Sequence, residues 1–263
     1  MYSFTYERPS VLADAARLTA TGAKPLPGGQ TLLASMKLRL SDPGQLVDLA
    51  GVAQPAGISR EGNTLVIGAM TRHADVAASE AVKSAIPALA ELAGNIGDKQ
   101  VRAMGTIGGS LANNDPAADY PAAALGLGAT IVTNQREIPA DEYFQGLFTT
   151  ALKDGELITA VRFPVPQKAA YMKFKQPASL FALIGVFVAK TPGGVRVAVT
   201  GGGNGVFRHQ ALEAALSANL TPQAAANVPL SNEGLGSDLH ASTAYRAQLV
   251  RVMAERAVAK AAA

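Results

Sequence analysis

Gly105-Thr-Ile-Gly-Gly-Ser-Leu-Ala-Asn-Asn-Asp-Pro-Ala-Ala-Asp-Tyr-Pro121 is the stretch around which the rest of the chain is read. It sets a Gly-Gly pair between two hydroxyls, Thr106 and Ser110, and follows them with two asparagines and two aspartates. No cationic side chain lies inside it. Glycines admit positive φ and let a backbone come close to a ligand. Successive exposed N–H groups then form an anion-holding nest without a lysine. A second Gly-Gly lies upstream, in Lys24-Pro-Leu-Pro-Gly-Gly-Gln-Thr-Leu-Leu33. Each pair alone reads equally as a tight turn or as an anion nest. Both together suggest a clamp on a ligand with two phosphates.

Composition narrows the chemistry. The 263 residues carry a formal net charge of +3, 5% aromatics and no tryptophan, which argues against nucleic acid as a partner. Cysteine is absent, so the chain offers no thiolate nucleophile, disulfide or cysteine-ligated cluster. His73, His209 and His240 are far apart and match no metal-ligand spacing, so no metal site is expected. There is no signal-peptide pattern at the N-terminus and no apolar run of membrane-spanning length. A cytoplasmic protein is expected.

Patterning gives an α+β chain. Strands are expected at 2–6, 24–26, 45–49, 57–60 and 64–69, with helices at 10–20 capped by Ser10, 71–79 capped by Thr71, and 84–94. Asp98 to Arg102 reads as a charged lead-in to a central loop. A helix at 121–127 closed by Gly128, a hairpin around Asn134-Gln135 and a strand at 156–164 follow. Pro164-Val-Pro-Gln-Lys168 reads as a linker. Beyond it, strands at 171–175, 182–190 and 195–200 precede helices at 210–218, 222–226 and 244–260. A boundary near residue 166 therefore divides the chain into 1–166 and 167–263. The run Gly201-Gly-Gly-Asn-Gly205 reads as a corner between sheet and helices.

The two glycine segments carry a family resemblance. Lys24 to Leu33 with Met36-Lys-Leu38 resembles the first flavin loop of the molybdenum hydroxylase flavoproteins, and Thr106 to Ser110 with Asp115-Pro-Ala-Ala-Asp119 resembles the second. Phe174-Lys-Gln-Pro-Ala-Ser179 is similar to the strand that opens that family's C-terminal domain. These are the FAD-binding medium subunits of the carbon monoxide dehydrogenase and xanthine dehydrogenase type. The resemblance implies a two-part FAD-binding domain of the vanillyl-alcohol oxidase (PCMH) type, followed by a small domain of three-stranded sheet and helices.

Residue by residue, it implies that amides around Pro27, Gly28, Gly29, Gln30, Thr31 and Leu32, and around Thr106, Ile107, Gly108, Gly109 and Ser110, hold the diphosphate of FAD. Thr31, Thr106 and Ser110 would add hydroxyls, and Asn113 a small polar contact. Asp119 would accept from ribose or ribityl hydroxyls, although the residue also stands where a helix cap would. Ile96 and Ile158 would flank the cofactor. Lys175 would lie near the pyrimidine end of the flavin, where a cation stabilises the reduced ring. Ser110 stands where several relatives carry Asn. Asn114 and Asp115 read more readily as turn formers, and His73 as a residue packing a helix start than as a base. No residue is assigned an acid–base role.

By the same resemblance, the chain is the flavoprotein of a heterotrimeric molybdenum hydroxylase, in a dimer of heterotrimers. A large subunit would carry molybdopterin and a small one two 2Fe–2S clusters, and this chain would relay electrons from the clusters to an external acceptor. The competing reading is a stand-alone module that binds nucleotides or other phosphorylated ligands without a redox role.

Overall fold

The computed structural model describes residues 1–52 and 56–262. The chain opens with a small parallel sheet. Strands β1 (Thr5–Glu7) and β2 (Lys24–Leu26) lie on either side of β3 (Gln45–Asp48), with helix α1 (Leu12–Ala20) between the first two and α2 (Leu32–Lys37) between the second and third. Ala15 of α1 packs with Ala23, Val47, Val52 and Leu157 in a minor core of its own. Leu157 comes from far along the sequence, and Gly155 beside it lies so close to α1 that a Cβ there would be 2.9 Å from that of Ala20.

The second layer is an antiparallel sheet flanked by helices. Strands β4 (Ile58–Glu61) and β5 (Thr64–Gly68) form a hairpin. Six helices come next in the chain: α3 (His73–Ala78), α4 (Glu80–Ala85), α5 (Pro87–Gly94), α6 (Lys99–Met104), α7 (Ile107–Asn113) and α8 (Tyr120–Leu127). Strands β6 (Thr130–Thr133) and β7 (Glu137–Pro139) lead through α9 (Ala140–Tyr143) to the short pair β8 (Phe144–Gly146) and β9 (Thr149–Thr150). Strand β10 (Ile158–Pro164) then returns to the sheet centre, giving the order β4-β5-β10-β6-β7.

The third layer is the C-terminal sheet, β11 (Lys168–Lys175), β12 (Ala182–Thr191), β13 (Gly194–Thr200) and the two-residue β14 (Phe207–Arg208), covered by α10 (Gln210–Ala218), α11 (Pro222–Ala226) and α12 (Thr243–Ala262). A short fourth strand thus joins the three expected ones. Period-2 alternation gives this sheet two apolar faces. Tyr171, Phe187, Ala189 and Ala198 belong to the main core with α8, whereas Val186, Val188, Val197 and Val199 pack with Met253, Ala254 and Val258 of α12. Helix α8 is buried along its whole length. Each large apolar side chain buried there contributes roughly 1.5–3 kcal/mol.

Several local expectations change. Pro87 opens a new helix instead of sitting inside one, because its fixed φ and missing N–H suit the first helical position. Ser79 caps the helix before it through Val82 N. Ser10 and Thr71 cap nothing; the Thr71 hydroxyl instead bridges N and O of Gly57. The charged lead-in Asp98 to Arg102 is helical: Asp98 caps α6 by accepting from Val101 N at 2.8 Å. Gly201–Gly205 is not the expected corner between sheet and helices: it joins β13 to its antiparallel neighbour β14, with Gly201 at φ +81° and pressed on Ala182 O, and α10 begins only after β14.

Candidate functional site

The first glycine segment stands at the carboxyl end of β2, between a strand and a helix. Gly29 adopts φ +71°, which turns the chain into α2, and Leu33 N donates back to Gly29 O at 3.0 Å. Among the described residues, no acceptor in the chain takes the N–H of Gly28, Gly29, Gln30, Thr31 or Leu32. The Thr31 hydroxyl makes no capping bond either. Five consecutive free donors in partly exposed backbone are the donor set that an anion with several oxygens requires.

The second segment is built differently. Thr106 to Ser110 is no loop: it is the cap and first turn of α7. Thr106 Oγ1 accepts from Gly109 N at 3.1 Å, and Ser110 N donates to Thr106 O at 3.0 Å. Ile107 N donates to Thr71 O at 3.1 Å and Gly108 N to Ala69 O at 2.8 Å. Four of its five main-chain donors are therefore spent inside the protein. Thr106 N–H and the Thr106 and Ser110 hydroxyls remain.

What the glycines supply is proximity. A Cβ on Gly28 would lie 2.3 Å from Met104 O and 2.9 Å from Gly105 Cα, and one on Gly109 would lie 3.0 Å from Pro27 Cγ. A Cβ on Gly108 would lie 2.6 Å from that of Ala69. The two segments, about 80 residues apart in the chain, meet because Gly28 has no side chain to hold off the Met104–Gly105 backbone and Gly109 none to hold off the Pro27 ring.

Asp119 closes the second stretch, but not as a cap. It has helical backbone angles and no side-chain capping bond. Its carboxylate is buried and takes Tyr171 Oη on Oδ1 at 2.5 Å and Lys173 Nζ on Oδ2 at 2.8 Å. Burial raises its pKa, against the opposing pull of Lys173 and the Tyr171 hydrogen bond. Tyr171 is raised well above its usual value by burial and by the Asp119 charge. A Cβ on Gly185 would lie 2.2 Å from the Tyr171 hydroxyl, so that glycine makes the room it occupies.

The remaining expected residues fall around these two groups. Lys175, exposed at the end of β11, donates to Asn95 Oδ1 at 2.8 Å. Ile96 is half-buried in a turn whose carbonyls are taken by cations: Lys173 Nζ reaches Asn95 O at 3.2 Å, and Arg102 Nη1 reaches Ile96 O and Gly97 O at 2.9 Å each. Ile158 is half-buried at the start of β10, where the register shifts, and the neighbouring Thr159 O accepts Ala69 N at 2.9 Å.

His73 joins the two groups. A Cβ on Gly105 would lie 2.5 Å from His73 Nε2, and the ring lies 5.3 Å from that of Tyr120, the residue after Asp119. Burial, with the Arg102 charge second, lowers its pKa to about 4, so it is a neutral packing residue. Asn113 is the outlier, six positions and about 9 Å along α7 from Ile107. Asn114 adopts φ +44° and donates to Gly146 O and Thr149 O, and Asp115 accepts from Ala117 N. Both shape the chain, as turn formers do.

Sequence reasoning missed Tyr171, Lys173 and Asn95. The signal available was the alternation Tyr171, Lys173, Lys175, which puts all three on one face of β11.

Residues 2–166 match the family described as the FAD binding domain in molybdopterin dehydrogenase. The chain is 36% identical to the carbon monoxide dehydrogenase medium chain of Afipia carboxidovorans, over 99% of this chain and 97% of that one. This chain is a FAD-binding medium subunit of the molybdenum hydroxylase family. It is also 36% identical to the 6-hydroxypseudooxynicotine dehydrogenase complex subunit alpha of Paenarthrobacter nicotinovorans, over 98% and 94%. Among solved structures, reconstituted CO dehydrogenase from Oligotropha carboxidovorans superposes with a TM-score of 0.91 at 34% identity, covering 99% of this chain and 98% of that chain. The medium subunit is thus a flavoprotein component of an oxidoreductase. The free donors of Gly28–Leu32, held against the second segment with no basic side chain required, fit the diphosphate of FAD. No described helix is long and apolar enough to cross a membrane.

Proposed function

We propose that Gly28 to Leu32 supply the main-chain donors for the FAD diphosphate, with Pro27 setting the approach, and that Thr106, Ser110 and the Thr31 hydroxyl complete the shell. Gly109 serves by admitting the Pro27 ring, Gly108 by seating α7 on Ala69, and Ile107 by anchoring that turn in the core. Asp119 forms the buried anionic end of the site, where a carboxylate accepts from cofactor hydroxyls. Ile96 and Ile158 line its apolar walls, Lys175 supplies a cation at its open side, and Asn113 stands at its margin. Residues 1–166 form the FAD-binding domain, and 167–263 a C-terminal domain that reaches into the site through β11.

FAD, when bound, supplies the redox chemistry of the chain. The residues around it bind, orient and bias charge; none is placed to move a proton at a substrate. In this reading the chain accepts electrons from 2Fe–2S clusters on a small partner and delivers them to an external acceptor. A large molybdopterin partner oxidises the substrate, and the assembly is a cytoplasmic dimer of heterotrimers. The two relatives at equal identity, one named for carbon monoxide and one for a nicotine derivative, support placing substrate choice on the large partner.

The row of five free N–H groups pressed against the second segment carries this reading. Its test is the absorption spectrum of the purified chain and of its released chromophore. The expected result is a yellow protein that bleaches with dithionite and releases about one FAD per chain on denaturation. A colourless protein that takes up no FAD on reconstitution would overturn it.

A further inference from the structure

Lys173 has no part in the site residues that the family resemblance implies, yet it is more deeply held than Lys175, its neighbour on the same face of β11. Its side chain is 4% exposed, equal to that of Asp119, whereas Lys175 is exposed. An ammonium is buried at high cost unless it is paired and hydrogen-bonded. Here it is shared: one bond goes to Asp119 Oδ2 at 2.8 Å, at the end of the second glycine stretch, and one to Asn95 O at 3.2 Å, in the turn before Ile96. These two partners come from separate segments, the turn after α5 and the start of α8, and Lys173 comes from the C-terminal sheet.

The surroundings fix it there. Lys173 pairs across the sheet with Gly185, whose lack of a side chain admits the Tyr171 phenol to the other oxygen of Asp119. Lys175 follows on the same face and holds the Asn95 side chain, while Arg102 holds the next two carbonyls of the turn. The turn carrying Ile96 is thus pinned by three cations, and Lys173 alone among them also holds the carboxylate.

We infer that Lys173 is a positioning residue for the cofactor site: one buried ammonium fixes the Asp119 carboxylate and the Asn95–Ile96 turn relative to each other, so that the C-terminal domain contributes to FAD affinity. This rests on the assignment of the FAD site above. The bonds a ligand makes to a carboxylate and to a flanking wall depend on where both are held, and an error of a fraction of an ångström is felt.

The test uses the full chain, freed of flavin and titrated with FAD by fluorescence quenching, with the visible circular dichroism of the bound cofactor recorded at saturation. Lys173→Met keeps the apolar stem and removes the charge. It is expected to weaken FAD by about tenfold and to change the dichroism band. Arg136→Met serves as the comparison. It strips a buried carboxylate, Glu156, of its partner outside the site, and should lower the melting temperature while leaving FAD affinity within about twofold. Should Lys173→Met not fold, Asp119→Asn/Lys173→Met takes its place and is expected to bind FAD about tenfold more weakly than Asp119→Asn alone. Wild-type affinity and dichroism in Lys173→Met would overturn the inference. So would equal affinity of the double variant and Asp119→Asn, or an equal loss in Arg136→Met. A wild-type chain that takes up no FAD would overturn the site assignment itself, and this inference with it.

Discussion

Gly28→Ala is the sharpest perturbation of the clamp. The added Cβ would meet Met104 O at 2.3 Å, Gly105 Cα at 2.9 Å and Met104 C at 3.0 Å, all backbone atoms with no flexible end to swing aside. Ordinary contact begins near 3.4 Å, so the two segments must part by about 1 Å. Overpacking of this kind costs about 1–3 kcal/mol of stability. The larger effect falls on FAD. A hydrogen bond to a charged group contributes about 1.5–3 kcal/mol net, so losing one to the displaced segment should weaken FAD roughly tenfold to a hundredfold. Fluorescence titration of the flavin-free chain reads the affinity, and its thermal unfolding reads the stability. Gly57→Ala is the control, because its Cβ would meet nothing within 4 Å. If Gly28→Ala binds FAD as the wild type does, the contact between the segments is no part of the site and the clamp argument fails.

Three buried titratable groups give further expected outcomes. His73 has a folded pKa near 4 against an ordinary value of 6.5, so the unfolded chain binds the proton more readily; stability is full above pH 6.5 and falls by about 3 kcal/mol in all as pH drops through 4. His73→Leu should flatten that limb of a plot of melting temperature against pH. The Glu156 carboxyl, although burial raises it, is held below its ordinary 4.5 by Arg136, Lys153 N–H and the Thr133 hydroxyl. Its contribution is present above pH 4.5 and lost as pH falls through the folded value, and Glu156→Gln should abolish this acid loss in the same assay. Asp119→Ala leaves Lys173 buried without its carboxylate and should cost about 3–5 kcal/mol in denaturant unfolding of the flavin-free chain. A loss under about 1 kcal/mol would show the ammonium to be solvated.

Most strands were legible because apolar alternation and turn residues agree locally, as at Thr191–Gly194 and at Asn134-Gln135. Both glycine segments were legible for the same reason: a Gly-Gly pair marks backbone that must come close to something. What it comes close to is a tertiary fact. Gly28 faces Met104, and Gly108 faces Ala69, because β2, β5 and α6 converge there, and no local pattern encodes that. The Gly-Gly pair of the second segment suggests a loop, since glycine is a poor helix former; Thr106 overrides this by capping the turn. Lys173 and Lys175 share a face by parity, but their difference in burial depends on where α5 and α8 lie. The resemblance singles out Lys175, and nothing in the local pattern marks Lys173 as the buried one.

Free main-chain donors on Gly28 to Leu32 are assigned here to a diphosphate. Binding of FAD and of riboflavin to the flavin-free chain, compared side by side by calorimetric titration, tests that assignment directly. The two ligands share the isoalloxazine ring and differ in the diphosphate and adenosine. Tight binding of FAD, competition by ADP, and riboflavin binding weaker by at least about a hundredfold are expected. Riboflavin binding as tightly as FAD, with no competition from ADP, would contradict the assignment.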